Sequence, residues 1–310
     1  DMGNRAAKTL LIDAAARGDI KSVQRLVEQG MDVDIQDNKG RTPLVWATWY
    51  NRFDVVQYLI EQGAAKDVKD KFGYTPLKWA SQDGYLKVVK YLIEQGADKE
   101  TRDMKGRTPL MWAAWRGQFQ IVHYLVEQQG ADKHARDENR NTPLIWAAQC
   151  DERDVVRYLV EQGADKDTTN KSGKSALVSA ALNANLKVVR YLVEQGVDID
   201  KQDNEGRTPL IWAAEQNRSK VVKYLIEQGA SSGGQTAVLW AAQKGNLDAI
   251  QNLVQNGADP TGLDNDGNSV LLLLLTQNIV ESKLRPVAKL LLEMERLRSS
   301  QTMKDWLRDQ

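Results

Sequence analysis

A single cysteine, Cys150, in 310 residues excludes an internal disulfide and fits a reducing compartment. Only two histidines occur, His123 and His134, so there is little from which to build an imidazole base or a histidine-rich metal site. Neither sign of charge is in excess. Lys and Arg number 42 and Asp and Glu 42, a balance with no global pull towards nucleic acid or an anionic membrane. The longest apolar run, Val270 to Leu275, has six residues, far short of the roughly 20 that span a bilayer. No secretory signal segment is read. These absences lead us to expect a cytoplasmic or nuclear monomer with no membrane span, no cofactor and no nucleic-acid partner.

Proline is scarce as well, and five of its seven copies share one context. Pro43, Pro76, Pro109, Pro143 and Pro209 each follow a Thr and precede a Leu. The Thr, or a Ser in its place, stands at 42, 75, 108, 142, 175, 208, 236 and 269, so the spacings are 33, 33, 34, 33, 33, 28 and 33. A fixed period of this length is the mark of a solenoid, in which each unit buries its apolar face only against its neighbours.

Each unit has a physical reading. Asp37-Asn38-Lys39-Gly40, like Asp70-Lys71-Phe72-Gly73, is a tight turn in which the Asp side chain bonds back to the backbone and Gly supplies positive φ. Thr then caps a helix, with Pro at the first helical position, where a missing N–H costs nothing. A short helix follows, from Leu44 to Thr48 or Leu77 to Ser81, then a loop and a second helix such as Val88 to Glu94. Gly63, Gly96, Gly130, Gly163, Gly196, Gly229 and Gly257 end the second helices as left-handed caps.

The string Asp-x-x-Gly-x-Thr-Pro-Leu, then Trp-Ala-Ala, then Val-Val-x-Tyr-Leu-Ile-Glu-Gln-Gly-Ala-Asp resembles the ankyrin repeat over roughly residues 10 to 295. The resemblance implies an all-α solenoid of about nine helix-turn-helix units with short β-hairpin fingers. We expect an N-terminal tail over 1–9 and an array over 10–295. Its units lie near 10–36, 37–69, 70–102, 103–136, 137–169, 170–202, 203–230, 231–263 and 264–295. A C-terminal capping helix is expected over 296–310. In that family the fingers and first helices line a concave surface that usually grips another protein.

Two columns depart from the family pattern. The position after Thr-Pro-Leu, commonly His in ankyrin repeats, is here Val45, Lys78, Met111, Ile145, Val178, Ile211 and Leu239, so bonds that a His would give between fingers are absent. The next position is Trp46, Trp79, Trp112, Trp146, Trp212 and Trp240, broken by Ser179. A recurrent Trp at a core position reads as a packing ladder, each ring burying about 150–250 Å². The unit with Ser179 is expected to be the softest interior repeat.

Catalysis finds little support. His123 aligns with Gln57, Lys90, Arg157 and Arg190, a variable polar column of the kind found on a solvated face, and His134 lies on a finger. No His is placed by the register near Cys150, and a nucleophile needs an adjacent base. Asp151 and Glu152 are loop charges. No phosphate-cradling glycine loop or metal-spaced cluster occurs. We therefore expect no catalytic residue and no metal ligand.

What remains is a binding surface for another protein or peptide. Positions that face the concavity in the resembled family include, in units two to four, Arg41, Trp49, Tyr50, Phe72, Tyr74, Met104, Arg107, Trp115 and Arg116. Trp, Tyr and Arg dominate interface hot spots. Trp49 and Trp115 could instead pack under neighbouring fingers, but their column has no aromatic at Gln82, Gln149, Glu215 or Gln243, which favours binding. The function expected is a non-catalytic scaffold or adaptor. The second reading is a recruitment domain of a larger enzyme or a pathogen-type effector.

Irregularities complete the picture. Gln128-Gln129-Gly130 carries one extra residue, expected to loosen the helix end. Gly229 to Thr236 is five residues short of the span from Gly196 to Thr208, so either this finger is cut short or residues are missing there. Asp1 ahead of Met2 reads as a cloning remnant, and Met2-Gly3 is half of a myristoylation signal. Ala7 stands where Ser or Thr is required, so acylation of Gly3 is not expected. At the other end Thr302 to Asp305 has the outline of a capping box, with Met303, Trp306 and Leu307 on one face.

Overall fold

Thr42, Thr75, Thr108 and Thr142 each accept a hydrogen bond on Oγ1 from the amide three residues on, in Val45, Lys78, Met111 and Ile145, at 3.3 to 3.4 Å. These caps start the helices where the sequence puts them. The computed structural model describes residues 2–276, 284–294 and 296, and its chain divides into two compact units, Asp1–Lys171 and Ser172–Gln310.

The first unit holds five helix pairs. They are α1 (Met2–Arg17) with α2 (Ile20–Glu28), α3 (Pro43–Trp49) with α4 (Phe53–Glu61), and α5 (Pro76–Asp83) with α6 (Leu86–Glu94). The remaining two are α7 (Pro109–Trp115) with α8 (Phe119–His123), and α9 (Pro143–Gln149) with α10 (Arg153–Glu161). First helices pack in one row, α1 on α3 on α5 on α7 on α9, and second helices in another, α2 on α4 on α6 on α8 on α10. Leu44, Leu77, Leu110 and Leu144 on the side of the first helices and Leu59, Leu92, Leu125 and Leu159 on the side of the second are all fully buried. Truncating any one of these to Ala costs about 2–5 kcal/mol, because the neighbouring pairs cannot collapse to fill the void. Helix α1 takes in most of the segment expected as a tail.

The fingers are turns rather than β-hairpins. In the finger at 70, Asp70 N donates to Tyr74 O and Gly73 N to Asp70 O, while Oδ1 of Asp70 accepts from the amides of Phe72 and Tyr74. Successive fingers are joined by one backbone bond each: Lys71 N to Lys39 O, Met104 N to Phe72 O, Glu138 N to Lys105 O and Lys171 N to Asn139 O. One bond per pair is too few for a ladder, and no strand forms among the described residues. Gly73 has φ +77°, and a Cβ there would lie 2.7 Å from the Met104 amide, so both backbone conformation and contact demand glycine. Arg140 occupies the same turn position in its own finger with φ +60°.

The extra residue before the fifth repeat does not loosen its helix. After α8 the chain makes a π-helical turn, Tyr124–Gln128, in which Gln129 N bonds to Tyr124 O. In the other repeats the closing bond runs from Ala64 to Leu59, Ala97 to Leu92 and Ala164 to Leu159; here Ala131 N reaches Leu125 O at 2.8 Å across one more residue. The wider turn absorbs the insertion and keeps Tyr124 and Leu125 buried.

The second unit contains α11 (Ala176–Leu182), α12 (Leu186–Glu194), α13 (Pro209–Glu215), α14 (Ser219–Glu227), α15 (Ser231–Gln243), α16 (Leu247–Gln255) and α17 (Val270–Leu275), and residues 284–294 are helical. Ser231 opens α15 directly after Ala230, so the shortened segment builds no finger and becomes the first turn of a helix. Ser175 caps α11 without a proline, and Ser179, standing where other repeats have Trp, is buried with its hydroxyl unpartnered. The C-terminal helix expected over 296–310, apart from residue 296, lies outside the described residues, as does its Met303, Trp306 and Leu307 face.

Candidate interaction surface

The side chains that line the first helices of the first unit are organised by the Asp of each finger. Asp37 accepts on Oδ1 from the amides of Lys39 and Arg41 at 2.7 and 2.9 Å, and on Oδ2 from Arg41 Nε at 2.9 Å and Trp46 Nε1 at 3.1 Å. The Arg41 guanidinium then lies over Trp46, 4.0 Å from the ring centroid. Asp103, Arg107 and Trp112 repeat this arrangement, with Arg107 Nε 2.8 Å from Asp103 Oδ2, Trp112 Nε1 at 3.1 Å and the guanidinium 4.1 Å above the indole. In the next finger Asn141 replaces the Arg, and Trp146 Nε1 still donates to Asp137 at 3.2 Å. Burial alone would push the Asp37 carboxyl up. The amides of Arg41 and Lys39, the Arg41 charge and the Trp46 indole outweigh it and hold that carboxyl below the usual range.

The repeat register puts Arg41 and Arg107 among the residues expected to face a partner. In the structure Arg41 is 9 % exposed, and both guanidiniums bond to finger carboxylates and lie over indoles. The spacing of Asp, Arg and Trp was visible in the sequence.

One finger breaks the pattern. Tyr74 stands where Arg41 and Arg107 stand, and Lys78 enters a column that is otherwise apolar. Asp70 Oδ2 and Trp79 Nε1 are buried without partners, so the bond from indole to carboxylate is lost here. Lys78, 3 % exposed, threads its ammonium among Tyr74, Trp79 and Trp112 at 3.7, 3.7 and 4.0 Å from their centroids and donates to Gln82 Oε1 at 2.7 Å. Burial pushes it down to about 7, against the pull of Asp83, with Arg107 adding to the shift and Asp103 and Asp70 opposing it. Lys78 is the one charge in its column, and that is the signal in the sequence that marks it.

Around this lysine the rings form a continuous run. Trp49 stacks on Trp46 at 5.2 Å and on Trp79 at 4.3 Å, and Tyr50 lies 5.9 Å from Trp46. Tyr74 meets Trp79 and Trp112 edge-on at 5.3 and 5.7 Å, and Trp115 meets Trp112 and Trp146 edge-on at 5.1 and 6.1 Å. Trp49, Tyr74 and Trp115 are half-buried, so they share their area between packing and surface. Tyr50, Phe72 and Met104 are 48, 52 and 67 % exposed, with Phe72 and Met104 on adjacent fingers. Arg116 is exposed, its guanidinium 4.9 Å from the Trp115 ring centroid. Between Arg107, Met111, Trp112, Trp115 and Trp146 the surface opens into a small pocket.

Chemistry-bearing groups outside this run are few. Cys150 is exposed, and burial of its thiol pushes the pKa up, Glu152 adding to the effect while the Trp115 indole and Arg116 oppose it. His123 pairs with Glu127 at 2.6 Å on a half-exposed helix face. Among the described residues no helix is long and apolar enough to cross a membrane, and no group of His, Cys, Asp and Glu is arranged to hold a metal ion.

In the second unit Asp203, Arg207 and Trp212 rebuild the carboxylate, guanidinium and indole arrangement, with Arg207 3.8 Å above the ring. The further aromatics of the first unit have no counterpart there: Leu182, Glu215 and Gln243 occupy the column of Trp49 and Trp115.

No curated protein matches this chain. The family model of three consecutive ankyrin repeats matches it in overlapping windows, at residues 1–70, 62–137, 103–170, 129–203, 162–233 and 195–264. Ankyrin repeats are in general protein-interaction modules, and typically non-catalytic. The period, the capped helix pairs and these matches over most of the chain lead to one statement of kinship: the protein belongs to the ankyrin repeat family.

Proposed function

We propose that this chain is a non-catalytic intracellular scaffold or adaptor, monomeric by itself, that binds a partner protein or peptide through the aromatic face of its first unit. The observation that carries the reading is the concentration of unrepeated aromatics there. Trp49, Tyr50, Phe72, Tyr74 and Trp115 add to the recurrent Trp46, Trp79, Trp112 and Trp146, whereas between residues 172 and 276 the aromatics are only the periodic ones, Trp212 and Trp240 on first helices and Tyr191 and Tyr224 on second helices. A residue needed for packing alone should recur with the period. Large amphipathic rings that do not recur, and that keep part of their area in water, suit the anchors of an interface.

Within that face Tyr50, Phe72 and Met104 supply exposed apolar area, Trp49, Tyr74 and Trp115 supply rigid half-buried platforms, and Arg116 supplies charge. Arg41 and Arg107 act by holding Trp46 and Trp112 in place. The test is retention of partner by the Trp49→Ala/Tyr74→Ala/Trp115→Ala variant against the native chain, with circular dichroism as the check on folding. Loss of partner at unchanged helicity supports the reading, and equal retention ends it.

A further inference from the structure

The pocket lined by Arg107, Met111, Trp112, Trp115 and Trp146 contains two guanidiniums in or beside it, and they differ in one respect. Arg107 is neutralised: Nε bonds to Asp103 at 2.8 Å and Nη2 reaches the Tyr74 hydroxyl at 3.3 Å. Arg116 lies over the Trp115 ring, and among the described residues no carboxylate forms an ion pair with it. The Glu152 carboxylate packs onto Gly117, where a Cβ would collide with it. Burial pushes Glu152 up, helped by Asp151.

An apolar recess walled by three indoles, with an exposed guanidinium on the ring of one of them and no ion-pair partner for it among the described residues, has a definite complement. The rings take an aliphatic or aromatic side chain, and the planar fork of Arg116 takes a carboxylate in bidentate fashion. We infer that the first unit recognises an extended acidic peptide segment, seating one apolar side chain between Trp112, Trp115 and Trp146 and placing a neighbouring Asp or Glu on Arg116. This rests on the proposed function above and specifies the partner's chemistry. Cationic segments are disfavoured, because Arg107 already lies over Trp112 and Arg116 over Trp115, so a further cation there would meet like charge.

The test uses a library of random twelve-residue peptides displayed on phage, panned against the full chain, with the enriched peptides made as fluorescent probes. Binders should carry Asp or Glu within two positions of Leu, Ile, Phe or Trp. Arg116→Glu, an exposed substitution that leaves the fold intact by circular dichroism, should weaken them about tenfold or more. Exchange of the acidic residue for Lys should restore binding to that variant. Binders that depend on Trp115 but carry no acid and ignore Arg116→Glu would overturn the inference and leave the proposed function standing. The absence of any binder sensitive to Trp49→Ala or Trp115→Ala would count against both. A sedimenting dimer that Trp115→Ala returns to monomer would make the occupant a second copy and overturn the acidic peptide.

Discussion

Lys78 holds its ammonium 3.7 Å from the centroid of the Trp79 ring, on the side chain next to it in sequence, inside a face that leaves it 3 % exposed. Its pKa falls to about 7 from an ordinary 10.5, so between those values the folded chain binds one proton fewer than the unfolded chain. Stability must then rise with pH across that window, and the cost of the buried charge is fully present below pH 7.

The expected gain from Lys78 between neutral and alkaline pH is on the order of a few kcal/mol. Lys78→Met, which restores the residue type of Met111 in the same column, should remove that gain and raise stability at pH 6. Urea midpoints of the two proteins from pH 6 to 10 decide the matter. Parallel curves would mean that the ammonium is better solvated than its surroundings indicate.

The two fingers at Asp70 and Asp103 make an internal comparison. Asp103 accepts from two amides, the Arg107 Nε and the Trp112 indole, whereas Asp70 accepts from two amides only and leaves Oδ2 unpartnered. Asp103→Ala should cost about 3–5 kcal/mol, since it strands a guanidinium against buried rings. Asp70→Ala should cost about 1–3 kcal/mol. Equal losses in chemical denaturation would show that the indole and guanidinium bonds add nothing.

Much of this fold is local and was therefore readable. Thr42, Thr75, Thr108 and Thr142 cap the helices they were expected to cap, because the bond spans three residues and needs no tertiary partner. The π-helical turn was not readable, since an extra residue can loosen a helix end or widen a turn, and buried Leu125 decided between them. Nor were the fates of Arg41 and Arg107. Their column looked like surface because the carboxylate that claims each guanidinium is four residues earlier, across the finger turn.

Ala184 and Arg140 have φ of +65° and +60° at positions where other repeats place glycine, or Asn and Asp at the first of them. The left-handed conformation costs an ordinary residue about 1–2 kcal/mol, and glycine returns part of the gain as unfolded-chain entropy. Ala184→Gly and Arg140→Gly should each stabilise by about 0.5–1 kcal/mol, seen as a higher melting temperature. A lower one would mean that the backbone is not strained there.

Deleting Gln129 restores the 33-residue spacing between Thr108 and the next cap. The π-helical turn should revert to an α-helical turn ending like that after Leu92, with stability kept or raised by up to about 1 kcal/mol. Amide exchange at Ala131 reads the result directly. Faster exchange in the deletion variant would show that the wide turn is required by the packing of Tyr124.

The central claim is that the unrepeated aromatics of the first unit are there for a partner. Affinity capture from the source cell, run in parallel with the native chain and the Trp49→Ala/Tyr74→Ala/Trp115→Ala variant, tests it most directly. The account predicts a protein retained by the native chain and lost by a variant of equal helicity. Recovery of the same proteins in equal amounts by both would contradict it.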